Sequence, residues 1–93
     1  MEKRGSEELI RELFETVLKL RTQEDCAAFF ADLCTEKEVQ NMAERLAAAR
    51  LLLEGKTYLQ VIEAVDISSA TLSRVSRCVR HGTGYRRMIE RKE

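Results

Sequence analysis

Five hydroxyl residues cut this chain into helical lengths. Ser6, Thr22, Thr35, Thr57 and Ser68 each stand just before a run whose apolar residues recur at helical spacing. Two of them open capping boxes. Thr35-Glu36-Lys37-Glu38 and Thr57-Tyr58-Leu59-Gln60 each put a side-chain acceptor three residues after a threonine, so side chain and backbone can satisfy one another in both directions. A chain punctuated in this way is committed to helices. Proline is absent, glycine occurs four times, and strand-favouring aromatics are scarce.

The punctuation predicts six helices. Ser6 opens the first, with Ile10, Leu13, Phe14, Val17 and Leu20 as its apolar stripe, running to about residue 20. Thr22 opens the second, with Glu24 and Asp25 in its first turn and Cys26, Ala27, Phe29, Phe30 and Leu33 as apolar positions. A long third helix follows Thr35, striped by Val39, Met42, Ala43, Leu46, Ala49, Leu52 and Leu53, and Gly55 is placed to stop it. A short fourth helix carries Val61, Ile62, Ala64 and Val65. Asp66 and Ile67 then turn the chain into a fifth helix, capped by Ser68 and reaching about Arg80. Gly82-Thr83-Gly84 breaks it, and residues 85–92 form a last helix with Tyr85, Met88 and Ile89 on one side.

At 93 residues this is one all-α domain, 1–93, with helices 6–55, a bihelical segment 57–80 and a closing helix 83–92. A chain of this size buries only roughly 60–65% of its unfolded surface. The first two helices alone bring Leu9, Ile10, Leu13, Phe14, Val17, Leu18, Leu20, Phe29, Phe30 and Leu33. Each such residue, fully buried, contributes about 1.5–3 kcal/mol. A homodimer is the expected way to cover them, with 6–55 as the dimerisation helices.

The formal charge of zero hides a split. Residues 1–55 carry 12 acidic and 8 basic residues, and residues 56–93 carry 4 acidic and 8 basic. Between 67 and 92 only Glu90 opposes seven cations: Arg74, Arg77, Arg80, Arg86, Arg87, Arg91 and Lys92. Such an end suits a polyanion, although a charge run alone also fits a solvated face.

Other classes are disfavoured. No apolar run approaches the roughly 18 residues of a membrane span, and the N-terminus turns acidic at once, unlike a secretory signal. Cys26, Cys34 and Cys78 form no CxxC pair and sit inside apolar patterns, which reads as reduced core or near-core thiols in the cytoplasm. His81 is the single histidine, so no zinc site is expected. No glycine-rich phosphate loop and no nucleophile–base constellation is present, so the chain does not read as an enzyme and needs no cofactor.

The stretch "DISSATLSRV", residues 66–75, points to what the basic end does. At about 100° per residue, Leu72, Val75 and Val79 fall within about 60° of one another and face the core. Ala70, Ser73, Arg74 and Arg77 fall on the opposite side, with Ser69 and Thr71 in the first turn. The outward face is therefore small near its start and cationic further along. Short side chains let a helix tip approach base edges in the major groove of double-stranded DNA, and arginine pairs with guanine or phosphate. Ser69, Ala70, Thr71, Ser73, Arg74 and Arg77 are the expected DNA-contacting residues. A helical protein-interaction module is the alternative reading, and the DNA-binding head of a transposase is a third.

Residues 57–75, "TYLQVIEAVDISSATLSRV", resemble the helix-turn-helix of bacterial regulators. Two positions depart from that pattern. Asp66 stands where the turn usually has glycine, asking aspartate to tolerate a left-handed backbone. Ile62 stands where alanine is frequent, which predicts slightly wider packing of the two helices.

From about residue 10 to residue 92 the order of parts resembles the Trp repressor family, in its shorter YerC/YecD-type branch. The resemblance runs through "LCTEKEVQNMAERLAAARLLLEG" and "KTYLQVIEAVDISSATLSRV" to the short closing helix. It implies six helices, an intertwined homodimer and repression from a two-fold operator. It also implies an effector site between Arg45 and Arg74, which match the arginines that flank the corepressor, although both also suit a surface or phosphate-contacting role. The glycine that follows the second arginine in that family is Val75 here, and a ligand-contacting serine aligns with Cys78. The resemblance therefore carries DNA binding and dimer architecture but not L-tryptophan as the effector.

Overall fold

The computed structural model of the chain describes residues 2–92. It contains six helices: α1 (Ser6–Val17), α2 (Gln23–Leu33), α3 (Glu36–Leu53), α4 (Tyr58–Ala64), α5 (Ser69–His81) and α6 (Gly84–Glu90). No strand occurs among the described residues. The chain divides into two compact units, one running to Thr35 and the other starting at Glu36.

In the first unit the caps decide where the helices begin. Thr22 accepts from the Asp25 amide at 2.9 Å, as its position before Glu24 and Asp25 predicts. Ser6 does not act as the cap of α1. It is the first helical residue, and Gly5 takes the N-cap without a side-chain bond. Glycine serves there nearly as well as serine, because an extended residue that exposes its carbonyl is all the first turn requires. The helix also ends at Val17, short of residue 20, where the Lys19 and Leu20 amides tighten onto the Thr16 and Val17 carbonyls at 3.0 Å. Phe29 and Phe30 meet edge to face, their ring centroids 5.5 Å apart.

Neither α1 nor α2 contains a buried residue. Leu9, Ile10, Leu13, Phe14 and Leu33 are all substantially exposed, Phe14 at 60%. Cys26 is exposed rather than in or near a core, because α2 has no fully buried face for it to join, while Cys34 and Cys78 are half-buried. All three thiols are free.

The second unit holds the core. α3 packs against α4, α5 and α6, and α5 also packs on α6. Ala48 and Ala49 of α3, Val61 of α4, and Leu72, Val75 and Val79 of α5 are buried, with Leu51, Leu52, Leu53, Ile67, Tyr85 and Ile89 packed around them. The two alanines let α5 approach α3 closely. The apolar stripe of α3 is buried only in its C-terminal half. Val39, Met42 and Leu46 remain more than a third exposed.

Gly55 closes α3 as its spacing predicts. Its φ of +92° lies in the left-handed region, the only positive φ among the described residues. The Lys56 amide then reaches the Leu51 carbonyl and the Gly55 amide the Leu52 carbonyl, both at 3.0 Å, a Schellman closure. At the other boundary, Gly82 ends α5 for a steric reason. A Cβ there would lie 2.8 Å from the Cys78 carbonyl oxygen, which accepts from the Gly82 amide at 2.8 Å. Gly82→Ala is expected to cost about 1–3 kcal/mol through this overlap, read as a fall in the thermal midpoint of roughly 4–8 °C per kcal/mol. Gly84→Ala, at a position with open space around it, is the control and should leave the midpoint near its parental value.

Candidate nucleic-acid interface

The bihelical segment is built by two hydroxyl caps. Thr57 accepts from the Gln60 amide at 3.2 Å, and Gln60 Oε1 accepts from the Thr57 amide at 2.9 Å, completing the expected capping box of α4. Ser68 caps α5 by accepting from the Thr71 amide at 3.2 Å, and the two hydroxyls lie 3.0 Å apart.

Between the caps, the turn takes a different route from the one expected of Asp66. No residue other than glycine has positive φ among the described residues. Val65 is extended at φ −132° and ψ 136°, and Ser68 at φ −74° and ψ 156°. The chain leaves α4 and enters α5 through extended backbone, which any L-residue adopts, so the missing glycine costs nothing. Ile62 likewise does not act as a spacer between the helices. It is 44% exposed, and Val61 is the buried residue of α4.

The helical phase of α5 agrees with its sequence spacing. Leu72 is fully buried, Val75 and Val79 nearly so, and Ser76 joins them. Ser69, Ala70, Ser73, Arg74 and Arg77 are exposed, and Thr71 is half-buried beside the Ser68 cap. The surface is thus hydroxyl and methyl at the tip and cationic one to two turns later. Among the described residues Arg74 and Arg77 have no ion pair or hydrogen bond within the chain. Arg86 differs: it donates to the Val79 carbonyl at 3.4 Å and pairs with Glu90 at 3.5 Å, tying α6 to α5. α4 offers no lysine or arginine. Its exposed residues include Tyr58, Leu59 and Ile62.

A polar recess of about 270 Å³ opens between α3 and the turn. Lys37, Glu44 and Arg45 line it from α3, and Asp66, Ser68 and Thr71 from the bihelical segment. Its two cations and two carboxylates balance formally. Arg45 is therefore placed on a recess, while Arg74 is not among the residues lining it. The family resemblance implied a site at Arg45 but not this recess with its Lys37, Glu44, Asp66, Ser68 and Thr71 lining. Its trace was the recurrence of polar Lys37, Asn41, Glu44 and Arg45 on one side of α3, which by itself looks like an ordinary solvated face.

The profile described as Trp repressor protein matches residues 8–93. The chain belongs to the Trp repressor family. This is a family of DNA-binding regulators. The chain is 43% identical over 89 residues to the uncharacterized Bacillus subtilis (strain 168) protein YerC, covering 95% of this chain and 84% of that protein. It also superposes on a TrpR-like protein from Eubacterium eligens ATCC 27750 with a TM-score of 0.85 and 36% identity, over 89% of this chain and 87% of that one. A solved chain from Staphylococcus aureus gives a TM-score of 0.86 at 36% identity, covering 94% of this chain and 86% of that one.

Within this Trp repressor family member, Val75 is 1% exposed and belongs to the core. Cys78, one turn earlier than Gly82, is half-buried and contributes its carbonyl to the end of α5. No helix among the described residues is long and apolar enough to cross a membrane.

Proposed function

We propose that the chain is a sequence-specific transcriptional regulator, a repressor, which binds a two-fold DNA operator as a homodimer through α4 and α5. The observation that carries this reading is the outward face of α5. Among the described residues Ala70, Ser73, Arg74 and Arg77 are exposed and make no side-chain hydrogen bond or ion pair, while Leu72, Val75 and Val79 fix the helix from behind. A rigid helix with a small tip and cations behind it fits a major groove flanked by phosphates.

The exposed apolar residues of α1, together with Val39, Met42 and Leu46 of α3, support the homodimer. Isologous pairing through such faces sets two reading helices about one DNA turn apart, near 34 Å. An effector carrying an anionic group would find Lys37 and Arg45 in the recess beside the turn. Tryptophan is not proposed, because a buried Val75 stands at the position where the family resemblance places a glycine.

Selection of bound sequences from a random duplex pool, at two salt concentrations, tests the reading. Enrichment of a two-fold site is expected, with half-sites about 10 base pairs apart and affinity falling steeply as salt rises. A helical protein-interaction module would enrich no sequence, and its binding through apolar faces would be nearly indifferent to salt.

A further inference from the structure

Outside the helices, the hydroxyl side chains of this chain nearly all hold backbone. Thr22, Thr57 and Ser68 cap α2, α4 and α5, and Thr35 is engaged as well. Thr83 differs. It stands between Gly82 and Gly84 in the link from α5 to α6, is exposed, and makes no side-chain cap bond although it occupies the N-cap of α6. Gly82 before it is extended, at φ −91° and ψ −179°. The link is also densely cationic. Arg80 and His81 come shortly before Thr83, Arg86 and Arg87 shortly after, and all four are exposed. No carboxylate side chain occurs between Asp66 and Glu90. Ser76 has a similar basic approach, with Arg74 just before it. The fold withdraws Ser76, which is only 6% exposed at the inner face of α5.

We propose that Thr83 is a phosphorylation site, modified by an ATP-dependent protein kinase with an acidic substrate groove, and that the phosphate weakens DNA binding. The second half rests on the proposed DNA-binding function; the first does not. Kinases take their substrate segments as extended backbone. Ser69 and Ser73 are exposed too, but they sit inside α5, where presenting the hydroxyl means opening the helix. Thr83 lies between helices and needs no such opening. In the transfer, Thr83 Oγ1 attacks the γ-phosphorus of ATP. The new O–P bond forms as the bond to the β–γ bridging oxygen breaks, ADP leaves, and the hydroxyl proton passes to the kinase's catalytic aspartate. The product carries about −1.5 to −2 charges at pH 7. Residues 56–93 hold 8 basic and 4 acidic side chains, a surplus of +4, so one phosphate cancels nearly half of it. The phosphate also competes, one helical turn away, for Arg86, which donates to the Val79 carbonyl and pairs with Glu90. A less cationic head neutralises fewer DNA phosphates.

The test uses the full chain, ATP, and a serine/threonine kinase that selects arginine shortly before its acceptor. Peptide mass spectrometry is expected to find one phosphate, on Thr83, with none on Ser76 and none on a Thr83→Val chain. Arg80→Ala should slow the uptake severalfold. On the duplex recovered by random-pool selection, the phosphorylated chain should bind about tenfold more weakly, within the range of one lost arginine contact. Unphosphorylated Thr83→Val, checked for folding by circular dichroism, should keep the parental affinity, which separates loss of the hydroxyl from gain of the phosphate. The chain isolated from the cells that make it should carry the Thr83 phosphate in part of its population. No uptake by the folded chain, uptake on Ser69 or Ser73 instead, or a native chain bare of phosphate under every growth condition would overturn the site. Parental affinity in the Thr83-phosphorylated chain would overturn the switch and leave sequence-specific binding standing. If the pool yields no enriched duplex, the regulator reading falls and the switch with it, while the mapping of the phosphate still decides the site.

Discussion

Leu72→Asp should abolish the folded state of the chain, seen as loss of the cooperative thermal transition by circular dichroism. Leu72 has no exposed surface and sits between Ala48, Ala49 and Val61 in the only core cluster found among the described residues. Removing its side chain to alanine size would already cost about 2–5 kcal/mol. An aspartate adds a carboxyl group with no partner among those alanines and valines, a further cost of several kcal/mol. A domain of this size has a total stability of only about 5–15 kcal/mol, so the sum exhausts it. Leu59→Asp is the matched control. Leu59 is 65% exposed, and the same change there should stay within about 0.5 kcal/mol of the parent. A Leu72→Asp chain that melts like the Leu59→Asp chain would show that the inner face of α5 is not what holds the helix.

Arg74→Ala and Arg77→Ala should do the opposite: keep the fold and lose the DNA. Both side chains are exposed and neither has a partner within the chain among the described residues, so thermal midpoints should barely move. Each substitution is expected to weaken binding to the selected duplex by about 1–3 kcal/mol, roughly five- to 150-fold. The salt dependence tells what each arginine touches. A lost phosphate contact lowers the slope of log K against log salt by about 0.9. A lost guanine contact leaves most of that slope and relaxes the preference at one base pair instead. Parental affinity in both variants would exclude the outward face of α5 as the binding surface.

These two predictions differ because of a helical phase that the amino-acid sequence states plainly. Leu72, Val75 and Val79 recur at three and four residues, and no other face of that segment could be buried. Local signals of this kind were legible throughout: the caps at Thr22, Thr57 and Ser68, the stop at Gly55, and the six-helix order. What escaped was set by tertiary contact or by alternatives of nearly equal energy. Ser6 and Gly5 compete for one N-cap, and glycine takes it. Cys26 and Ile62 lie at apolar spacing, yet spacing says only which side of a helix a residue shares, not whether anything covers that side. Met88 makes the same point on α6: it is 58% exposed, while Tyr85 and Ile89 pack on the core. The recess beside Arg45 depends on how the turn after α4 sits against α3, a long-range fact with no local signature.

The division of work around the turn reaches beyond this one molecule. Thr57, Gln60, Ser68 and Thr71 hold the turn together, whereas Ser69, Ala70 and Ser73 make no side-chain hydrogen bond among the described residues. Mutation can therefore rewrite the outward positions without unfolding the scaffold that presents them. Under the proposed DNA-binding function, descendants of one ancestral chain would be free to acquire new genomic addresses while the architecture behind them stayed the same.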